Sequence, residues 1–226
     1  METRPGAQFR LTVANFSLLI FLLLLIFIVM LFPFSVQKAL YQICISGILI
    51  SAFLCLDKKY RMYMRWLVAG GLVLQWLYFS TGNFVLNGIS KTIIVGLYII
   101  IVMLLVRQAA SSKTVTRIVI LESVNGYLMI GLFYSILVAL IMLLDPGAYH
   151  FQTHIQNTEE ISTNFNEYLY YGFNAFTTVT YGDVMPLSPV AKSVSMAMGL
   201  TGQMYVAIII AMLVGKFVGG NKKSEP

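Results

Sequence analysis

Residues 177–186 read Thr-Thr-Val-Thr-Tyr-Gly-Asp-Val-Met-Pro, a stretch rich in hydroxyl side chains with one glycine within it. Oxygen donors of this kind are what a bare monovalent cation needs when it sheds its water. Gly182 reaches left-handed backbone without a side-chain clash. The surrounding segment 145–183 holds Asp145, Glu159, Glu160, Glu167 and Asp183 and no Lys or Arg. Five of the nine acids thus gather in one place, which concentrates cations and repels anions. Other chemistry is thin. His150 and His154 stand four apart, a spacing that suits two zinc ligands on a helix, but two ligands are not a site and no cysteine is near. No transition-metal site is expected. Cys44 and Cys55 share one apolar run, and the helix between them holds them roughly 16 Å apart, too far for a disulfide. No Ser, His and acid form a catalytic motif, so an enzyme is not expected.

The elements that must position the oxygen-rich stretch are helices. Asn164 followed by Glu167 is a capping-box type of start, and the apolar, aromatic residues Tyr168 to Thr177 then make about three turns, roughly 15–20 Å. That is too short to cross a bilayer and reads as a re-entrant segment, tolerated at membrane depth only when buried in protein or lining water. Around it the chain is 58% hydrophobic and 11% charged, unlike a soluble domain. Its apolar residues fall into six runs long enough to span lipid, at about 12–33, 39–56, 66–82, 90–106, 118–144 and 190–218. The first run is longer than a signal core and no small-residue cleavage site follows it, so it reads as a retained span.

The net charge of +6 does not point to nucleic acid, because the basic residues lie in short clusters between apolar runs. With the N-terminus inside, the inner segments hold Arg4, Arg10, Lys58, Lys59, Arg61, Arg65, Arg107, Lys113, Arg117, Lys216, Lys222 and Lys223. The outer ones hold Lys38, Lys91 and Lys192. This positive-inside bias orients the chain with both termini cytoplasmic and places 145–183 outside. A plasma (cell inner) membrane, multi-pass location follows.

Thr178, Val179, Tyr181, Gly182 and Asp183 stand in register with the T-V-G-Y-G-D filter loop of the potassium channel superfamily, which this region resembles over about 118–218. Thr180 replaces the first glycine. Pro186 matches the common proline after the filter. The resemblance implies an all-α membrane protein: six transmembrane helices with a re-entrant pore helix and filter loop, building a tetrameric pore. It implies a four-helix region at 1–110, a pore domain at 111–219 and a short cytoplasmic tail at 220–226. It implies filter residues Thr178, Val179, Thr180, Tyr181, Gly182 and Asp183, with support from Tyr170, Tyr171 and Asn174. Main-chain carbonyls from four loops would cage K+, the Thr178 hydroxyl would add the innermost oxygens, and Val179 and Tyr181 would pack behind the loop. No cofactor beyond the permeating K+, with Na+ the alternative, is implied. The partners implied are monovalent cations, membrane lipid and sister copies in a homotetramer, not nucleic acid.

Thr180 is the departure from the pattern. A β-branched residue at positive φ is an outlier, costing about 1–2 kcal/mol. Either the loop keeps its shape under strain, or the peptide rotates and one ion site changes. The readings are therefore a passive potassium-type channel, a poorly selective or sodium-permeable one, and a non-conducting membrane adaptor. A secondary transporter would show two corresponding broken spans, and one re-entrant segment is found.

The four-plus-two layout is similar to that of voltage-gated channels, but the fourth span is charged only at Lys91 and Arg107. Steep voltage dependence is not expected, since gating charge must move within the field. In the last span Gly199 and Gly202 are equally a hinge or a close-packing surface. Gln203, Val206, Ile210 and Val214 share one face and are expected to line the inner pore.

Overall fold

The computed structural model describes residues 5–81, 84–111, 116–152 and 164–221. Its elements are α1 (Pro5–Leu23), α2 (Phe34–Cys55), α3 (Lys58–Thr81), α4 (Phe84–Ser111), α5 (Arg117–Leu144), β1 (Tyr149–Phe151), α6 (Phe165–Phe176), β2 (Val184–Pro186) and α7 (Pro189–Asn221). The chain is an all-α, multi-pass membrane protein with one small ribbon. By length and hydropathy, four described helices can cross a membrane: Phe9–Leu31, Val36–Cys55, Arg117–Leu144 and Pro189–Met212. The six expected runs all lie in helices, but two fall short of that standard among the described residues. The described apolar part of α4 runs only from Ile93 to Gln108. Helix α3 is long, yet Arg65, Gly70, Gly71, Gln75 and Trp76 dilute its apolarity.

Two compact units are formed, one from Met1–Val29 with Ala39–Gly126, the other from Met30–Lys38 with Tyr127–Pro226. This division by packing cuts α5 about a third of the way along, after Gly126, whereas the boundary expected at 110 follows chain order. The charged positions Arg4, Lys113, Lys222 and Lys223, and most of the tail 220–226, lie outside the described residues, as do the side chains of Lys58, Lys91 and Lys216.

In the first unit, Leu18, Leu22 and Leu25 of the N-terminal segment and Ile48, Leu49 and Ala52 of α2 are fully buried. Their spacing of three and four residues is one helix face. Several polar groups inside it pair with one another, as membrane depth favours, while Gln75 Oε1 and Asn125 Oδ1 are buried without a hydrogen-bond partner among the described residues. Ser51 Oγ donates to Ser17 Oγ at 3.1 Å. Asn125 Nδ2 donates to the Asn15 carbonyl at 3.0 Å and to Asn15 Oδ1 at 3.2 Å. Trp76 Nε1 donates to Ser46 Oγ at 3.2 Å.

Beyond α1 the chain runs through a π turn (Leu24–Ile28) and a 3-10 turn (Val29–Leu31), and the second unit begins at Met30. Pro33 lacks an amide hydrogen and stops this helical run. Gln37 gathers the released carbonyls: its Nε2 donates to Phe32 O at 2.7 Å and Met30 O at 3.4 Å. Its Oε1 accepts from Asn166 Nδ2 at 2.9 Å, which ties this turn to the start of α6. The ribbon pairs β1 and β2 antiparallel, Tyr149 with Pro186, His150 with Met185 and Phe151 with Val184. His150 is therefore on a strand, so the helical spacing that made it a metal candidate does not apply. His154 lies outside the described residues.

Helix α7 begins as its sequence dictates. Ser188 Oγ accepts the Ala191 amide at 3.2 Å, and Pro189 takes the first helical position. Helix α6 begins differently from expectation. Asn164 makes no side-chain cap bond, so the capping box is not formed. Its backbone carbonyl instead accepts from Glu167 N at 3.0 Å and Tyr168 N at 3.3 Å.

Candidate functional site

Helix α6 buries Phe165, Tyr168, Leu169, Tyr171, Gly172, Ala175 and Phe176, an i, i+3, i+4, i+7 stripe that seats it against α5 and α7. At its far end Phe176 meets Tyr127 with ring centroids 4.7 Å apart and Tyr134 at 5.9 Å. Tyr134 Oη bonds Thr201 Oγ1 at 2.8 Å, joining α5 to α7 behind it. A Cβ placed on Gly202 would run into the Phe176 carbonyl oxygen. Gly202 is thus a close-packing position, and α7 remains helical through it. Gly199 has more room: its added Cβ would sit 3.4 Å from Thr178 Cγ2 and 3.5 Å from the Ala175 carbonyl.

Residues 177–183 leave the C-terminus of α6. Thr177 N donates to Phe173 O at 2.9 Å, Thr178 N to Ala175 O at 3.2 Å and Val179 N to Asn174 O at 3.1 Å. The last helical carbonyls are therefore capped by the loop itself. Thr178 has φ 62°, Thr180 φ 41° and Gly182 φ 83°, and no other described residue has positive φ. The loop therefore alternates in hand, residue by residue. Alternation of this kind turns successive peptide groups to one side of the chain. Thr180 keeps the left-handed conformation in place of glycine. Thr178 adopts it as well, which the residue types did not foretell.

The side chains around this loop fall into three groups. Tyr170 Oη donates to Asp183 Oδ2 at 2.6 Å, a short charge-assisted bond. Tyr171 Oη pairs with Ser195 Oγ of α7 at 2.6 Å, and its ring packs edge-on against Tyr149 at 5.1 Å and Phe151 at 6.3 Å. Burial, with Tyr171 beside it, raises the Tyr149 phenol above the ordinary tyrosine value. At the inner end Gln203 Nε2 donates to Thr178 Oγ1 at 2.8 Å, and Thr178 Oγ1 donates to the Thr177 carbonyl at 2.6 Å. Asn174 is buried beneath the loop.

Val179 and Tyr181, expected to pack behind the loop of an assembled filter, are 52% and 74% exposed within one chain. Of the acids, Asp145 Oδ1 accepts the Gly147 amide at 3.2 Å, a local turn bond. Glu167 occupies the first turn of α6, where a negative charge suits the helix dipole. Glu159 and Glu160 lie outside the described residues. Gln203, Val206, Ile210 and Val214 are all exposed, and their spacing puts them on one face of α7.

Residues missed from the sequence include Gln37, Asn166, Ser195 and Tyr134. Each acts through a partner distant in the chain, so no local spacing marked it.

The family model described as "Ion channel" matches residues 136–218. The matched stretch runs from within α5 through α6 and the loop to the end of α7. No curated protein and no solved structure matches the chain significantly. Residues 136–218 are thus similar to the two-helix, potassium-channel-like pore domain of the ion channel family.

Proposed function

We propose that the chain is one subunit of a homotetrameric potassium-type channel, conducting monovalent cations passively through loop 177–183. The observation that carries this reading is the alternation of left-handed backbone at Thr178, Thr180 and Gly182 directly beyond the C-terminus of α6. Alternation favours a row of carbonyl oxygens on one side of the loop, the arrangement a dehydrated cation needs. The helix end adds partial negative charge where a cation would pass. Fourfold assembly is supported by the exposed Val179 and Tyr181, since a neighbouring copy is what would cover them. Closed ring symmetry makes four equivalent loops natural. Residues Gln203, Val206, Ile210 and Val214 then line the inner path. The positive-inside bias supports cytoplasmic termini in a cell inner membrane.

Voltage plays little part in this reading, because α4 carries only Lys91 and Arg107. A second reading, weaker discrimination against Na+, rests on Thr180. A threonine at φ 41° stores strain that glycine would not. Purified protein in planar bilayers under opposed K+ and Na+ gradients tests both. Single-channel steps reversing at the K+ equilibrium potential support the selective channel. Steps reversing near zero support the second reading, and no steps at all would sink both.

A further inference from the structure

Within the first unit, a cavity of about 540 Å³ opens among Leu11 of α1, the turn between α2 and α3 with the first turn of α3, the C-terminal turns of α4 and the start of α5. Its size is within the roughly 300–1,000 Å³ range of small-ligand sites. Asp57, Glu122 and Arg107 line it together with Gln108, Leu11 and Leu104. Glu122 is only 6% exposed although it lies about 7.5 Å along α5 from Arg117. Gln108 fixes it there: its Nε2 donates to Glu122 Oε1 at 3.1 Å and to Cys55 O at 3.1 Å, and its Oε1 accepts the Asp57 amide at 3.0 Å. Among the described residues no ion pair joins Arg107 to Asp57 or Glu122. The cavity therefore holds acidic and basic groups that are not ion-paired to one another, beside apolar side chains, with Glu122 held by the hydrogen bond from Gln108.

That combination selects its occupant. A simple cation is repelled by Arg107, and a purely anionic group by Asp57 and by Glu122, whose burial makes any unpaired charge costly. A group with both a phosphate and a primary ammonium satisfies all three, and an attached acyl chain suits Leu11 and Leu104. In the orientation proposed above, these helix ends lie at the cytoplasmic headgroup level, where such groups are supplied by the bilayer. We infer that this cavity binds the headgroup of a zwitterionic aminophospholipid, its phosphate on Arg107 and its ammonium on Asp57 and Glu122.

The full chain is reconstituted in vesicles of equal phosphatidylethanolamine and phosphatidylglycerol, extracted in mild detergent, and its retained lipid identified by native mass spectrometry. Phosphatidylethanolamine is expected in excess. Arg107→Gln and Glu122→Gln should each reduce its retention by about tenfold, the effect of one lost charge-assisted contact. Glu122→Gln keeps an acceptor for Gln108, so the fold around the cavity is preserved. Lys59→Gln, outside the cavity lining, should leave retention unchanged. Equal retention of the two lipids, or retention untouched by both cavity substitutions, overturns the inference. Thermal stabilisation by soluble phosphoethanolamine as large as that by the lipid would overturn the bilayer as its source.

Discussion

Gln203 Nε2 stands 2.8 Å from Thr178 Oγ1, so α7 holds the first left-handed residue of the loop through a single side chain. A loop residue and an inner-helix residue, 25 positions apart in the chain, are thus a bonded pair. Gln203→Leu removes the donor and leaves the Thr178 hydroxyl free to turn. A neutral hydrogen bond contributes about 0.5–1.5 kcal/mol, so the K+ to Na+ permeability ratio should fall several-fold. Bi-ionic reversal potentials measure it, and an unchanged ratio would show that the bond is incidental.

Thr180→Gly should relieve the left-handed penalty of about 1–2 kcal/mol in each chain. The assembled protein is expected to melt at higher temperature and to reverse closer to the K+ equilibrium potential. A lower melting temperature would mean that the threonine side chain makes compensating contacts between copies.

The glycines of α7 separate cleanly. Gly202→Ala drives a methyl into the Phe176 carbonyl and should cost about 1–3 kcal/mol as overpacking does. Gly199→Ala meets only ordinary or slightly tight contacts and should fold normally. Thermal unfolding of the two variants in detergent distinguishes them. Equal stability would return Gly202 to the role of a hinge.

Tyr170→Phe removes the donor to Asp183 while keeping the ring. Bonds to charged groups contribute about 1.5–3 kcal/mol. Amides of residues 181–184 should exchange with deuterium about tenfold faster or more, with α5 and α7 unaffected. Exchange at the wild-type rate would mean that the ribbon alone orders this stretch.

Much of the second unit was legible in the chain. The expected spans 118–144 and 190–218 lie within one to three residues of α5 and α7, because long apolar runs bounded by Arg117 and by Asp145 or Pro189 leave little choice of register. The short helix was recognisable from its length and aromatic character, though it starts at Phe165 and without the side-chain cap that Asn164 and Glu167 promised. The ribbon was not legible: three residues per strand give no alternation to read. The bond of Asn166 to Gln37 joins positions far apart in sequence and leaves no pattern in either segment. Thr178 illustrates a different limit. Its positive φ is imposed by the path the loop must take between α6 and β2, and its own type argues against it.

That path has fixed abutments. At one end Val179 N is tied to Asn174 O, and at the other Leu187 N and Ser188 N both meet Ala148 O, at 2.8 and 3.2 Å. A span anchored on both banks can flip one peptide in its middle while its supports stay still. Differences in ion preference among sequence variants at position 180 should then be matters of local carbonyl orientation, visible to site-specific infrared or solid-state NMR labels and silent to any probe of helix position.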